Sequence, residues 1–134
     1  MSQAIELARQ WVAKADNDLL NADNNLAANQ IPTDTVCFHC QQAAEKLLKA
    51  YLACLRVEVP RTHDLLALLE HILPQCRTAE QLRANLALLM PFSVAVRYPQ
   101  EFMPSIEDAR EAREAAEAVR QWLTSTVPWL AEPA

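Results

Sequence analysis

The residues of this chain that could do chemistry gather between positions 36 and 66. This stretch holds His39 and His63, the cysteines Cys37 and Cys40, and a run in which His39, Gln42, Lys46 and Lys49 recur at three- and four-residue spacing. At about 100° per residue on a helix, those four fall within an arc of roughly 80°. A strip of long hydrogen-bond donors suits an anionic ligand such as a nucleotide or an RNA phosphate. The plainer reading is the wet face of a bundle helix, with Glu45 pairing with Lys49 at i,i+4.

Cys37 and Cys40 have the spacing of a metal or redox pair. No second pair at zinc-site spacing accompanies them, and Cys54 lies far along the same helix, so buried free thiols are expected and no metal. His63 stands at a helix start, where it could meet an anion or move a proton, although a histidine beside a cap is commonly structural. A second place of interest is Arg97, Tyr98 and Pro99, at the end of an apolar run. There an arginine with a tyrosine beside it is placed to present a fixed cation.

Composition limits what these residues can serve. The 134-residue chain has no glycine, which removes the glycine-dependent phosphate loops of P-loop and dinucleotide-binding proteins, whose backbones approach phosphate where a Cβ would clash. No cofactor is expected, and any nucleotide must be held by side chains or helix ends. Lack of glycine, few aromatic residues and abundant Ala, Leu, Glu and Gln argue against sheet and for an all-α chain. The formal charge of -5 leaves no broad footprint for duplex DNA. The opening residues are too polar for a signal peptide, and the longest uncharged run, 84–96, contains Pro91 and is too short to span a bilayer. A soluble, cytoplasmic, single-domain protein covering residues 1–134 is expected.

Apolar spacing then places the elements. Ile5, Ala8, Val12, Ala15, Leu19, Ala22 and Leu26 form one stripe of a first helix over about 2–28. Asp16, Asn17, Asp18, Asn21 and Asp23 lie off that stripe. Without the central glycine and late glutamate of a calcium loop, they read as a solvated face. Pro32 marks a connection, with Thr33 or Asp34 as cap, and the second helix runs to about 56. A third helix is expected to begin near His63 with Thr62 as N-cap and Asp64 in its first turn. Thr78 to Gln81 has the pattern of a capping box opening a fourth helix, bent or broken near Pro91. Ser105 and Asp108 form the acidic variant of the box and open a fifth helix. Ala109, Ala112, Ala116, Val119 and Leu123 give that helix a small-residue stripe suited to close approach.

As a set, several segments resemble the HEPN domain family (higher eukaryotes and prokaryotes nucleotide-binding). They are Cys37-Phe38-His39 with Gln41 to Lys46, Leu48 to Ala50, Thr62-His63-Asp64-Leu65, and Arg97-Tyr98-Pro99, together with Trp11, Ala15, Asp18 and Leu19 of the opening helix. The resemblance spans nearly the whole chain. It implies an up-and-down bundle of four to five helices, a homodimer, and a frequent association with a minimal nucleotidyltransferase partner. Many such proteins are metal-independent ribonucleases or toxins that carry an Arg and a following His separated by four to six residues. Arg97 resembles that Arg, but residues 98–104 contain no His, and cleavage through the RNA 2′-hydroxyl needs a group that titrates near neutrality. Arg56 and His63 satisfy the spacing only across Pro60.

The leading expectation is therefore a nucleotide- or RNA-binding module, dimeric and acting with a nucleotidyltransferase partner in a toxin-antitoxin-like pair. Its ligand-binding residues would be His39, Gln42, Lys46, Lys49, His63, Arg97 and Tyr98. The alternatives are a ribonuclease in which His63 or His39 replaces the missing His, and a structural adaptor with no chemistry of its own.

Overall fold

In a computed structural model of the chain, residues 2–94 and 103–131 are described. Arg97 and Tyr98 lie outside them. The described residues form five α-helices and no strand: α1 Gln3–Leu26, α2 Thr33–Cys54, α3 Leu65–Ile72, α4 Arg83–Leu89 and α5 Ile106–Thr126, with 3-10 turns at Arg77–Leu82, Met90–Phe92 and Pro128–Ala131. None of these helices is long and apolar enough to cross a membrane.

Helix α2 is the axis of the bundle. Most of its 22 residues are buried, including the polar Gln41, Glu45 and Lys49, because α1, α3, α4 and α5 all pack against it. Its alanines, cysteines and long polar groups disguise a helix buried nearly all round as an amphipathic one. The short connection after α1 returns the chain antiparallel, so that Asp18 meets His39 and Lys46 while Trp11, earlier in α1, meets Lys49 later in α2. Helix α5 runs parallel to α2. Thr33 Oγ1 donates to the Pro104 carbonyl at 2.7 Å at one end, and the Tyr51 and Trp122 rings lie 5.1 Å apart near the other. The alanine stripe of α5 is buried as expected, joined by Ala115 and Trp122.

The acidic face of α1 is not simply solvated. Arg113 grips Asp23 through Nε and Nη2 at 2.7 and 3.2 Å, and Arg120 grips Asp16 in the same bidentate way at 2.8 and 3.2 Å. These hydrogen bonds raise both guanidinium pKa values. Two forks one heptad apart on each helix set the register of α1 against α5. Asp18, between them in sequence, turns toward α2 and is buried. Among the described residues no cluster of His, Cys, Asp and Glu could hold a metal ion.

The helix starts divide into local and tertiary cases. Ser105 accepts from Asp108 N–H and Asp108 accepts from Ser105 N–H, both at 2.9 Å, completing the expected box of α5. The cap of α3 is Asp64, which accepts from the N–H groups of Leu66 and Ala67 at 3.0 Å. The expected cap, Thr62, instead accepts from Asp64 N–H at 3.1 Å, so the helix begins two residues later than its pattern suggests. Thr33 and Asp34 do not cap α2: its N-cap position is Pro32, without a side-chain hydrogen bond. The box expected at Thr78 does not form. Its hydroxyl accepts from Trp122 Nε1 at 3.3 Å and contacts Cys76 Sγ at 3.1 Å, and the segment winds as a 3-10 turn before α4.

Helix α2 ends with Arg56 in the left-handed region, at φ 59, alone among the described non-glycine residues. A Cβ there meets the neighbouring carbonyl, which costs about 1 kcal/mol or more and explains why glycine usually follows a helix end. Arg56→Gly is therefore expected to raise the unfolding free energy by up to about 1 kcal/mol and to move the urea midpoint upward. A midpoint unchanged or lowered in urea titrations would show that the Arg56 side chain contributes more than the strain costs.

Candidate functional site

The expected strip of His39, Gln42, Lys46 and Lys49 lies along the α1–α2 contact, and α1 supplies its counter-charges. At one end Asp18, with only 8% of its side chain exposed, receives Lys46 Nζ at 2.6 Å and lies 2.8 Å from His39 Nδ1. Both partners remain 22% exposed, and Phe38 sets its ring edge-on to the imidazole of His39. A buried carboxylate between two basic groups orders those groups as firmly as it is held by them.

At the other end Glu45 does the equivalent work. It receives Lys49 Nζ at 3.0 Å and stands 3.0 and 3.1 Å from His63 Nδ1. The Glu45 and Lys49 side chains are only 5% and 7% exposed, whereas that of His63 is 73% exposed. The i,i+4 pair expected from sequence thus forms, but in the interior and with a third member from the α2–α3 connection. Lys49 Nζ also sits 5.6 Å from the centroid of the Trp11 ring.

An amide relay joins the strip to His63. Gln42 Nε2 donates to Gln41 Oε1 at 2.7 Å, and Gln41 Nε2 donates to the His63 carbonyl at 3.2 Å. Gln41 is wholly buried, so its amide replaces solvent for that carbonyl. The backbone of His63 is tied to α2 through Gln41, and its imidazole through Glu45. With Nδ1 occupied, the exposed ring leaves Nε2 for a ligand or a proton.

Beside this second cluster a cleft of about 310 Å³ opens between α1, α2 and the connection, lined by Trp11, Lys49, Val59, Pro60, Arg61 and His63. The Trp11 indole N–H is shielded from solvent and finds no acceptor among the described residues. Of the seven residues expected to bind ligand, Lys49 and His63 share this cleft. His39 and Lys46 converge on Asp18 farther along, and Gln42 stands between the two clusters. Asp18, Glu45, Trp11 and Arg61 were not among the expected site residues. Helical periodicity within α2 cannot register a carboxylate or an indole contributed by α1.

The cysteines stay outside this chemistry. None of the four cysteines is in a disulfide: Cys37 and Cys40 are buried in the core, and Cys54 and Cys76 are half-buried. Burial, the largest influence, pushes the Cys40 thiol up to about 12, against a smaller opposite pull from Arg113. It is neither a nucleophile nor a metal ligand at neutral pH.

The model of the HEPN domain matches residues 8–126. The chain belongs to the HEPN domain family. This HEPN protein is also similar in structure to TT1696 from Thermus thermophilus, whose crystal structure superposes with a TM-score of 0.76 at 26% sequence identity, covering 90% of this chain and 98% of that one. No curated protein sequence matches it. The family match takes in both carboxylate-centred clusters and the whole lining of the cleft.

Proposed function

We propose that this HEPN protein is a nucleotide- or RNA-binding helical module, a homodimer that acts in the cytoplasm with a minimal nucleotidyltransferase partner as half of a toxin-antitoxin-like pair. The observation that carries the reading is the cleft. In a chain of net charge -5, Lys49, Arg61 and His63 line one concavity with an indole and a proline wall, at the small end of the volumes that ligand pockets occupy. The family membership supplies the ligand class. Arg97 and Tyr98 are assigned to phosphate and stacking, with His39, Gln42 and Lys46 neighbouring the site on α2.

A second reading, a metal-independent ribonuclease, draws on one observation. Glu45 holds His63 Nδ1 and leaves Nε2 outward, the arrangement a general base requires. Calorimetric titration of the purified protein with nucleoside phosphates and short RNA separates the readings. Binding without cleavage in chelator, lost in Arg97→Ala, is the expected result. Binding unchanged in Arg97→Ala would remove Arg97 from the site, and cleavage abolished by His63→Ala would favour the enzyme.

A further inference from the structure

We propose that Cys54 and Cys76 form an oxidisable thiol pair, closed to a disulfide by a peroxide, that fastens the end of α2 to the 3-10 turn before α4. The inference does not depend on what the cleft binds.

The four cysteines differ in access. Cys37 and Cys40 are wholly buried, whereas Cys54 and Cys76 are half-buried, so an oxidant dissolved in water reaches the second pair first. These two are distant in sequence yet meet the same aromatic corner. Cys54 stands one helical turn after Tyr51 on the same face of α2, and the Tyr51 ring lies 5.1 Å from that of Trp122. From the other side Trp122 Nε1 donates to Thr78 Oγ1 at 3.3 Å, and that hydroxyl lies 3.1 Å from Cys76 Sγ. With its oxygen accepting from the indole, Thr78 keeps its own hydrogen for the sulfur and holds it in place. The Tyr51 phenol closes the circle of contacts. Burial raises its pKa most, and the sulfurs of Cys76 and then Cys54 add to the rise, as two sulfurs near one hydroxyl do.

The pair divides the chemistry between its members. Burial raises the Cys54 thiol, which suits it to the second step, and Cys76 takes the first. The Cys76 thiolate attacks one oxygen of hydrogen peroxide, the O–O bond breaks, and the departing hydroxide is protonated to water, leaving a sulfenic acid. The Cys54 sulfur then gives up its proton and attacks the sulfenic sulfur, and the sulfenic oxygen leaves as a second water. Two thiols have lost two electrons and two protons, and one peroxide has become two waters. The loop closed, 55–75, contains α3 and the connection whose Val59, Pro60, Arg61 and His63 line the cleft. Joining its ends restricts the unfolded chain, so the oxidised protein is the more stable form.

The test treats the full chain with a small molar excess of hydrogen peroxide at neutral pH, alkylates it in denaturant and maps it by mass spectrometry without reductant. The expected product is a single cross-link between Cys54 and Cys76, lighter by two hydrogens, with Cys37 and Cys40 recovered as alkylated thiols. Dithiothreitol should reverse it, and the urea midpoint of the oxidised protein should lie above that of the reduced one. In Cys54→Ser the first step has no second thiol to follow, so a sulfenic acid on Cys76 should be trapped by dimedone. A cross-link to Cys37 or Cys40, unreacted thiols in excess peroxide, or a sulfinic acid on Cys76 beside a free Cys54 thiol overturns the pair. The cross-link is read on the unsubstituted protein, so it stands or falls whether or not the variant folds.

Discussion

Glu45→Gln is expected to lower the unfolding free energy by about 3 kcal/mol, far more than exchange of an exposed carboxylate. Removing one partner of a buried ion pair leaves the other charge without compensation, and such changes cost about 3–5 kcal/mol. Lys49 cannot escape to solvent, because only 7% of its side chain is exposed. Its contact with the Trp11 ring offsets no more than roughly 0.5–2 kcal/mol. Gln preserves the size of the side chain, so the loss reports charge and not a cavity. Lys49→Met in the same chain should recover most of the stability, since an apolar side chain of similar length tolerates that position. The four proteins form a double-mutant cycle, read by urea denaturation at neutral pH. Additive effects would mean that Glu45 and Lys49 are not coupled, contrary to their separation of 3.0 Å.

The second large effect appears in alkali. The folded chain holds the Cys40 thiol protonated to about 12 against an ordinary value of 9.0, chiefly through burial. Because the neutral form is favoured in the folded state, the stabilisation is complete below pH 9 and declines as pH rises from there toward 12. The full span is on the order of 4 kcal/mol at about 1.4 kcal/mol per pH unit. Burial also raises Tyr51, with Cys76 adding to the shift, so this phenol acts in the same direction at higher pH. Cys40→Ala should lower stability at neutral pH by opening a small cavity, yet flatten its decline above pH 9 relative to the parent. Parallel declines in the two proteins would remove Cys40 as the cause. Consistent with the same burial, native-state alkylation at neutral pH should spare Cys37 and Cys40 until the chain is unfolded.

Much of the bundle can be read in the sequence because it is encoded locally. The stripe of α1, the alanines of α5 and the Ser105–Asp108 box need only neighbours three and four residues away, and each appears where the pattern places it. The departures at Thr33, Thr78, Asp16 and Asp23 share one physical origin, which is competition from distant partners, whereas at the start of α3 the nearby Asp64 displaces Thr62 as cap. The Thr78 hydroxyl is taken by Trp122 and the Thr33 hydroxyl by the Pro104 carbonyl, so neither is free to cap a helix. Asp16 and Asp23 resemble solvated residues until Arg120 and Arg113 arrive from about a hundred positions away. The site divides in the same way. Lys49 with Glu45 is legible at i,i+4, whereas the roles of Asp18 and Trp11 exist only once α1 lies along α2.

The backbone of the described residues stays at negative φ everywhere except Arg56, and its consequence lies in the unfolded ensemble. Apart from Arg56, the described helices and turns do not require the conformations that only glycine reaches cheaply, so the chain can dispense with glycine while carrying eight prolines. Each glycine replaced by a residue with a Cβ removes about 0.4–1 kcal/mol of disorder that folding would otherwise have to overcome. Part of this protein's stability is thus a stiffness of the denatured polypeptide, beyond any contact within the bundle.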